Sequence, residues 1–176
     1  MALPQINAHV QPVMACVNQL YTEAGRDGAS GTILDAYISF CEKDPSRPKE
    51  ALREIEGNFD FLNLLTPTIV AGSRIDPPHY LAETLRLTRH DNIDVRRSAI
   101  FALGRIQWSE ESTPPELAYT ALEKAVADEH DDELLGCTIK TSFSLLQRDK
   151  SQENRVAKCP SGDFASRMNW LAGAAS

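Results

Sequence analysis

The sequence predicts an all-α protein built as a stack of about four antiparallel helix pairs. The alternation of apolar and polar residues that marks β-strands is nearly absent from its 176 residues. Breaks rich in glycine or proline recur at short intervals, as between helices. The segment 76–148 contains two similar helix pairs about forty residues apart, a period typical of α-solenoids. We therefore expect one helical-repeat domain over 1–176.

The N-terminal part, 1–75, predicts divergent helices. The first helix is expected over 7–24, with Pro12 near its start or kinking it. A glycine-rich turn follows. The second helix is expected over 32–43, because its apolar residues keep helical spacing and Thr32 is a suitable N-cap.

Two further segments complete this N-terminal part. The break 44–48 precedes a short helix that ends at Gly57. The strongly apolar stretch 59–74 contains Pro67, which predicts either one kinked helix or two short pieces.

The segment 76–148 predicts two recognisable repeats. Each begins with a double proline suited to the first turn of a helix, at Pro77 and at Pro114. The helices of the first pair are expected over 77–89 and 95–108, and those of the second over 116–128 and 134–148. The remaining residues, 149–176, predict a polar tail with a short terminal helix.

The second helices of the two pairs share a stripe of apolar residues. His90-Asp91 recurs forty residues later as His130-Asp131. At the same offset, four positions match: Val95 with Leu135, Ala99 with Ile139, Leu103 with Phe143 and Ile106 with Leu146. These positions form one helical stripe. Ile100 and Phe101 lie off it, which predicts a helix buried on more than one face.

The stretch 87–106 resembles a HEAT repeat of the bacterial HEAT-like type. The matching residues are Leu87, Asp91, Val95, Arg96, Ala99, Ala102, Leu103 and Gly104. The resemblance implies a right-handed superhelix with a concave and a convex face, and a turn in which Asp91 pairs with Arg96. Arg97 and Arg105 are expected at the solvent side or the edge of the stack. The second unit departs from the pattern, since Leu135 and Gly136 replace Val-Arg.

Several function classes find no support in the sequence. No P-loop, dinucleotide fingerprint or nucleophile elbow is present, and we expect no cofactor and no enzymatic activity. The four cysteines are far apart and are expected to be free thiols, with Cys16, Cys41 and Cys137 packed inside helices. No apolar run approaches the length of a membrane span and no secretory signal is seen, so we expect no membrane partner and a cytoplasmic location.

Two alternatives involve His, Asp and Arg residues. The doublets His90-Asp91 and His130-Asp131 could together bind a divalent metal in a HEAT-like enzyme. A DNA-interacting HEAT-like protein would use the arginines of 74–105, which number six against four acids. The net charge of −7 makes nucleic acid an unlikely partner.

The charge distribution favours another protein as the partner. Residues 109–133 contain nine acids and a single basic residue, Lys124. This stretch is either a solvated linker or an acidic edge that binds a basic protein. The expected partner-binding residues are Glu123, Asp128, Glu129, Asp131, Asp132 and Glu133. We therefore expect a scaffold, adaptor or inhibitor, with an immunity or antidote-type protein for a basic toxin or effector as the concrete case.

Overall fold

A computed structural model describes residues 8–25, 29–106, 116–128 and 131–148. This part of the chain is all-α: it consists of eight α-helices and one 3-10 helix and contains no strand. The α-helices are α1 Val10–Ala24, α2 Ala29–Glu42, α3 Ser46–Gly57, α4 Leu65–Ile75, α5 Pro77–Leu87, α6 Ile93–Leu103, α7 Glu116–Asp128 and α8 Asp132–Arg148. The 3-10 helix, Phe59–Leu64, precedes α4 directly. The predicted tail, 149–176, lies outside the described residues.

The N-terminal helices begin at other residues than predicted. Helix α2 begins at Ala29, so Thr32 lies within its first turn and does not cap it. Helix α3 begins at Ser46, because the Asp44 side chain accepts a hydrogen bond from the Ser46 N–H at 2.9 Å. Pro48 then occupies the first turn, where its missing N–H costs no helical bond.

The apolar stretch 59–74 forms two pieces, as one of the two predicted alternatives had it. The boundary lies between Leu64 and Leu65, where the 3-10 helix passes into α4. Pro67 does not interrupt a helix, since it lies in the first turn of α4. All but three residues of α4 are buried, which explains why this segment has no polar face.

Side-chain caps fix the starts of the later helices. Asp76 accepts from the His79 N–H at 3.3 Å and so caps α5. Asn92 caps α6, where its Oδ1 accepts from the N–H groups of Asp94 at 2.8 Å and Val95 at 3.3 Å. Each cap satisfies a donor that the helix itself leaves unpaired.

The even-numbered helices pack in a row. Helix α2 contacts α4, α4 contacts α6, and α6 contacts α8, while each odd-numbered helix packs against the even-numbered helix that follows it. Buried side chains from Val10 to Leu145 form one hydrophobic cluster along this arrangement. None of the described helices is long and apolar enough to cross a membrane.

The row has a regular register of buried residues. Each even-numbered helix buries residues at i, i+4, i+7 and i+8, starting at Ile33, Leu65, Val95 and Leu134. The successive offsets are therefore 32, 30 and 39 residues. Helix α8 buries Leu134, Thr138, Thr141 and Ser142, and Leu135 of the predicted stripe is partly buried. The side chains of Ile139, Phe143 and Leu146, the other members of that stripe, lie outside the described residues.

Helix capping follows the same register. Asp131 Oδ1 accepts from the Leu134 N–H at 2.8 Å, which matches the bond from Val95 to Asn92 thirty-nine residues earlier. The His-Asp doublets therefore do not occupy equivalent positions: Asp131 corresponds to Asn92, and not to Asp91. Helix α8 buries three hydroxyl-bearing residues in this register, Thr138, Thr141 and Ser142.

Burial of individual residues agrees with the sequence at some positions and corrects it at others. Ile100 is buried, but Phe101 is exposed over 45% of its surface. Cys41 is buried as predicted, whereas Cys16 is exposed on α1. Gly104 allows α6 to approach α8 closely, since a Cβ there would lie 3.1 Å from Thr141 Cγ2.

Candidate functional site

The predicted acidic edge is only partly described, and two of its residues have structural contacts. Glu129 lies outside the described residues, and Glu123 and Asp128 lie on α7. Asp131 caps α8. Glu133 Oε2 accepts from Arg97 Nη2 at 2.9 Å, although its side chain is 74% exposed. Asp132 is exposed at the start of the same helix.

The residues of the predicted metal site form local hydrogen bonds. His90 Nδ1 accepts from the Asn92 N–H at 3.0 Å, and the His90 ring lies edge-on to Phe59 at 5.8 Å between centroids. Asp131 is the cap of α8, and His130 lies outside the described residues. Within the described ranges, no group of three or more His, Cys, Asp and Glu side chains is placed to hold a metal ion.

Arg96, the arginine of the repeat motif, holds the turn before α6 through hydrogen bonds to the main chain of that turn. Arg96 Nη1 donates to the carbonyl oxygens of His90 at 2.9 Å and Asp91 at 3.0 Å. Arg96 thus contacts Asp91, as predicted, and the contact is a hydrogen bond to the backbone oxygen of Asp91. Val95, Ala99 and Leu103 of the motif are buried in the stripe of α6.

Arg97, predicted at the solvent side or the edge of the stack, binds carboxylates on two helices. Its guanidinium binds Asp94 at 3.0 Å on its own helix and Glu133 at 2.9 Å on α8. It therefore links two neighbouring even-numbered helices, a role that the sequence reading did not assign to it.

The best candidate site is a groove across three successive even-numbered helices. This groove, of about 490 Å³, is lined by residues of α2, α4 and α6 together with the 3-10 helix. Its apolar lining includes Leu34, Ile38, Leu62, Pro67, Val70 and Phe101, and its charged lining is Asp35, Arg74 and Arg105. A concave apolar surface with a few charged groups is the usual form of a binding site.

One end of the groove carries an exposed aromatic ring beside a cation. Arg105 Cζ lies 5.4 Å from the centroid of the Phe101 ring, within cation–π range. Arg105 forms no ion pair with any described residue, whereas Arg74 binds Glu42. Aromatic residues and arginine are both enriched in protein interfaces.

The sequence reading missed this groove. Phe101 was expected to be buried, because a helix between neighbours usually buries more than one face. The groove exists only when α2, α4 and α6 lie side by side, since it joins residues as distant in sequence as Leu34 and Phe101. The available signal was the spacing of Phe101 and Arg105, which places both on one helix face.

The core beneath the helices contains buried polar groups with no catalytic arrangement around them. Tyr37 Oη and Thr68 Oγ1 share a hydrogen bond of 3.0 Å, and burial raises the pKa of Tyr37 well above its ordinary value. Burial also raises the pKa of the Cys41 thiol to about 12. A protonated, inaccessible thiol is a packing residue and a poor nucleophile.

Comparisons of the chain with models of protein families, with curated proteins and with solved structures give no match. The groove and the residues around it are therefore interpreted from their own geometry.

Proposed function

We propose that this chain is a HEAT-like helical-repeat module that binds another protein, and that the groove across α2, α4 and α6 is its binding surface. The observation that carries the proposal is the half-exposed Phe101 ring at one end of an apolar groove. It is flanked by Arg105, which forms no ion pair with a described residue. An exposed aromatic ring that continues into an apolar groove forms a contiguous apolar surface, and such surfaces mark protein interaction sites.

The repeat assignment is supported by contacts between helices two places apart. Arg74 of α4 binds Glu42 of α2, Arg86 of α5 binds Glu56 of α3, and Arg97 of α6 binds Glu133 of α8. Together with the shared register of the buried stripes, these ion pairs favour a solenoid of about four helix pairs. In such a solenoid one face of the even-numbered helices stays open, and the groove lies on that face.

The partner segment is expected to insert an apolar side chain against Phe101 and to place a carboxylate near Arg105. The apolar contact would supply most of the affinity, and the charge pair would select the partner. We propose binding rather than catalysis, because the groove places no nucleophile next to a general base among the described residues.

The test compares two matched substitutions on exposed apolar residues. Phe101→Asp changes the groove, whereas Leu117→Asp changes a residue of α7 that is 61% exposed and outside it. Both variants should keep the fold, because neither side chain is buried. We expect the partner recovered by the wild-type protein from cell extract to bind Phe101→Asp roughly 30-fold more weakly, a loss typical of a buried interface aromatic. Equal binding by Phe101→Asp and wild type would refute the groove as the binding surface.

The acidic edge is the second candidate surface, supported by the exposed Asp132 beside the predicted acids of α7. Replacing Asp128, Glu129 and Asp132 by lysine tests it, and Asp131 is left unchanged because it caps α8. Loss of partner binding in this triple variant, with binding kept in Phe101→Asp, would favour an antidote-type protein for a basic toxin or effector.

DNA binding is disfavoured by how four of the six arginines of 74–105 are used. Arg74, Arg86 and Arg97 form ion pairs with glutamates, and Arg96 binds carbonyl oxygens. Arginines engaged in this way would have to give up their partners to contact phosphates.

A further inference from the structure

The groove across α2, α4 and α6 is deepest above α4. Helix α4 contacts both α2 and α6, whereas α2 and α6 make no extensive contact with each other. The lining residues Pro67 and Val70 of α4 are buried, while Asp35 of α2, Phe101 of α6 and Arg105 just beyond α6 are exposed. Helices α2 and α6 therefore form the two sides of the groove, and α4 forms its floor.

The dimensions of the groove match a single helix. Packed helices lie roughly 8–10 Å apart, so α2 and α6 are separated by roughly 16–20 Å. An α-helix with its side chains is roughly 10–12 Å across. The lining residues of α4, from Thr66 to Arg74, extend over about 12 Å, or about two helical turns. One helix of a partner can therefore rest above α4, between α2 and α6.

Both sides of the groove are fixed to its floor by side-chain contacts. Thr66 Oγ1 of α4 donates to the Ser98 carbonyl of α6 at 3.1 Å. On the other side, Arg74 of α4 binds Glu42 of α2. The groove is therefore formed before a ligand arrives, and binding does not have to order it.

The lining of the groove favours a helical ligand over an extended one. All of its lining residues except Arg105 belong to helices, where most backbone groups bond within their own helix. An extended peptide would leave its own N–H and C=O groups without partners against Leu34, Ile38 and Val70. A helix keeps its backbone hydrogen bonds internally and presents only side chains to the groove.

The two sides of the groove differ in charge. The α2 side carries Asp35 and the α6 side carries Arg105, and neither residue forms an ion pair with a described residue. Arg74, the third charged residue of the lining, binds Glu42. A ligand helix is therefore complementary when it carries a cation toward α2 and a carboxylate toward α6.

We propose that the groove binds an amphipathic helix of a partner protein that carries opposite charges on the two flanks of its apolar stripe. Apolar residues at i, i+4 and i+7 of this helix pack on Pro67, Val70 and Phe101. A lysine or arginine on one flank faces Asp35, and a glutamate or aspartate on the other flank faces Arg105. This inference rests on the proposed function, because it names the class of ligand for the same groove.

The test uses three synthetic helical peptides and fluorescence anisotropy at low ionic strength. All three have leucine at i, i+4 and i+7, and their flanks carry lysine and glutamate, lysine on both sides, or glutamate on both sides. The mixed peptide should bind the wild type roughly fivefold more tightly than the other two, since each of these places a like charge against Asp35 or Arg105. Reversing the direction of a helix exchanges its flanks, so the mixed peptide matches both sides in one of its two directions.

Two charge reversals should change which peptide binds best. In Asp35→Lys the peptide with two glutamate flanks should bind most tightly, and in Arg105→Glu the peptide with two lysine flanks should do so. Both residues are exposed, so both variants should keep the fold. The controls are Glu50→Lys and Arg53→Glu, which make the same charge changes at exposed residues of α3 outside the groove and should keep the wild-type order.

The proposal is overturned if the wild type binds the three peptides equally, or if the two groove variants keep the wild-type order. It is also overturned if no peptide binds at about 1 mM. Loss of the partner from cell extract in Phe101→Asp would then leave the groove as a binding surface for another kind of ligand, whereas retention of that partner would remove the proposed function as well.

A second copy of the chain is the competing occupant, and sedimentation velocity of the free chain tests it. We expect a monomer. A dimer that is lost in Asp35→Lys and in Arg105→Glu, and restored when the two substitutions are combined, would assign the groove to a second copy and overturn the proposal.

Discussion

The first and last helices of the even-numbered row, α2 and α8, bury residues in the same register, but the buried side chains differ in size and polarity. At the first end, α2 buries Ile33, Tyr37, Phe40 and Cys41. At the other end, α8 buries Leu134, Thr138, Thr141 and Ser142 at the equivalent positions. The scheme of contacts is thus kept along the row, while the size and the apolar character of the buried side chains fall.

Two of the buried hydroxyls of α8, those of Thr138 and Ser142, tolerate burial because they find partners on their own helix. Thr138 Oγ1 donates to the Leu134 carbonyl and Ser142 Oγ donates to the Thr138 carbonyl, each at 2.8 Å. Such bonds satisfy a buried hydroxyl without a partner from another helix. We therefore expect the four equivalent buried positions of α2 to contribute more to stability than those of α8.

The largest expected difference concerns two glycines in the row. A Cβ on Gly72 of α4 would lie 2.2 Å from the buried Tyr80 ring, whereas a Cβ on Gly136 of α8 would meet nothing within 4 Å. Gly72→Ala should lower the free energy of unfolding by more than about 3 kcal/mol, because it overpacks a filled core. Gly136→Ala should raise it by about 0.5–1 kcal/mol, because alanine favours the helix. Urea denaturation of both variants checks the two signs.

A Tyr80→Leu background tests the cause of the first effect. If the clash with the ring is responsible, Gly72→Ala should cost much less in that background. A stable Gly72→Ala protein would contradict the close packing of α4 against α5.

The next comparison uses equivalent buried positions of α6 and α8. Leu103→Ala should cost about 3 kcal/mol, through lost burial and a cavity. Ser142→Ala, thirty-nine residues later, should change the free energy of unfolding by less than about 1 kcal/mol, since it removes only a bond within its own helix. Similar costs at the two positions, measured by thermal and urea unfolding, would contradict the proposed difference between the ends.

These residues also show what the sequence could and could not predict. Helices α5 and α6, on either side of the polar turn, were predicted well. Pro77 favours the first turn of a helix, and the polar residues between the helices favour a turn. The burial of Thr138, Thr141 and Ser142 in α8 was not predicted, since hydropathy does not favour hydroxyls at buried positions. The groove could not be predicted from Leu34, Pro67 and Phe101 individually, because its shape depends on how three helices pack.

A smaller difference is expected in the reactivity of two cysteines. Cys41 is buried in α2 and burial raises its pKa to about 12, whereas Cys137 of α8 is half-buried with a pKa that burial also raises. Iodoacetamide at pH 8 should therefore modify Cys41 more than about tenfold more slowly than Cys137, because Cys41 needs a larger opening of the core. Peptide mass spectrometry measures both rates, and the exposed Cys16 serves as the fast reference. Equal rates in the folded protein would argue against a more stable first end.

The smallest expected effect is the coupling between Arg97 and Glu133. A double-mutant cycle with alanine should give about 0.5 kcal/mol, because the Glu133 side chain is mostly exposed. The coupling should decrease as salt is added. A coupling of zero at low salt would contradict the contact between α6 and α8 in this register.

The same two regions offer the two candidate binding surfaces, so one measurement distinguishes them. Hydrogen–deuterium exchange of the chain should be compared with and without the partner that it recovers from cell extract. If the groove is the binding surface, the partner should slow exchange in 31–38 and 98–105 and leave 116–148 unchanged. Slower exchange confined to 116–148, with the groove segments unchanged, would contradict the proposal and assign binding to the acidic end.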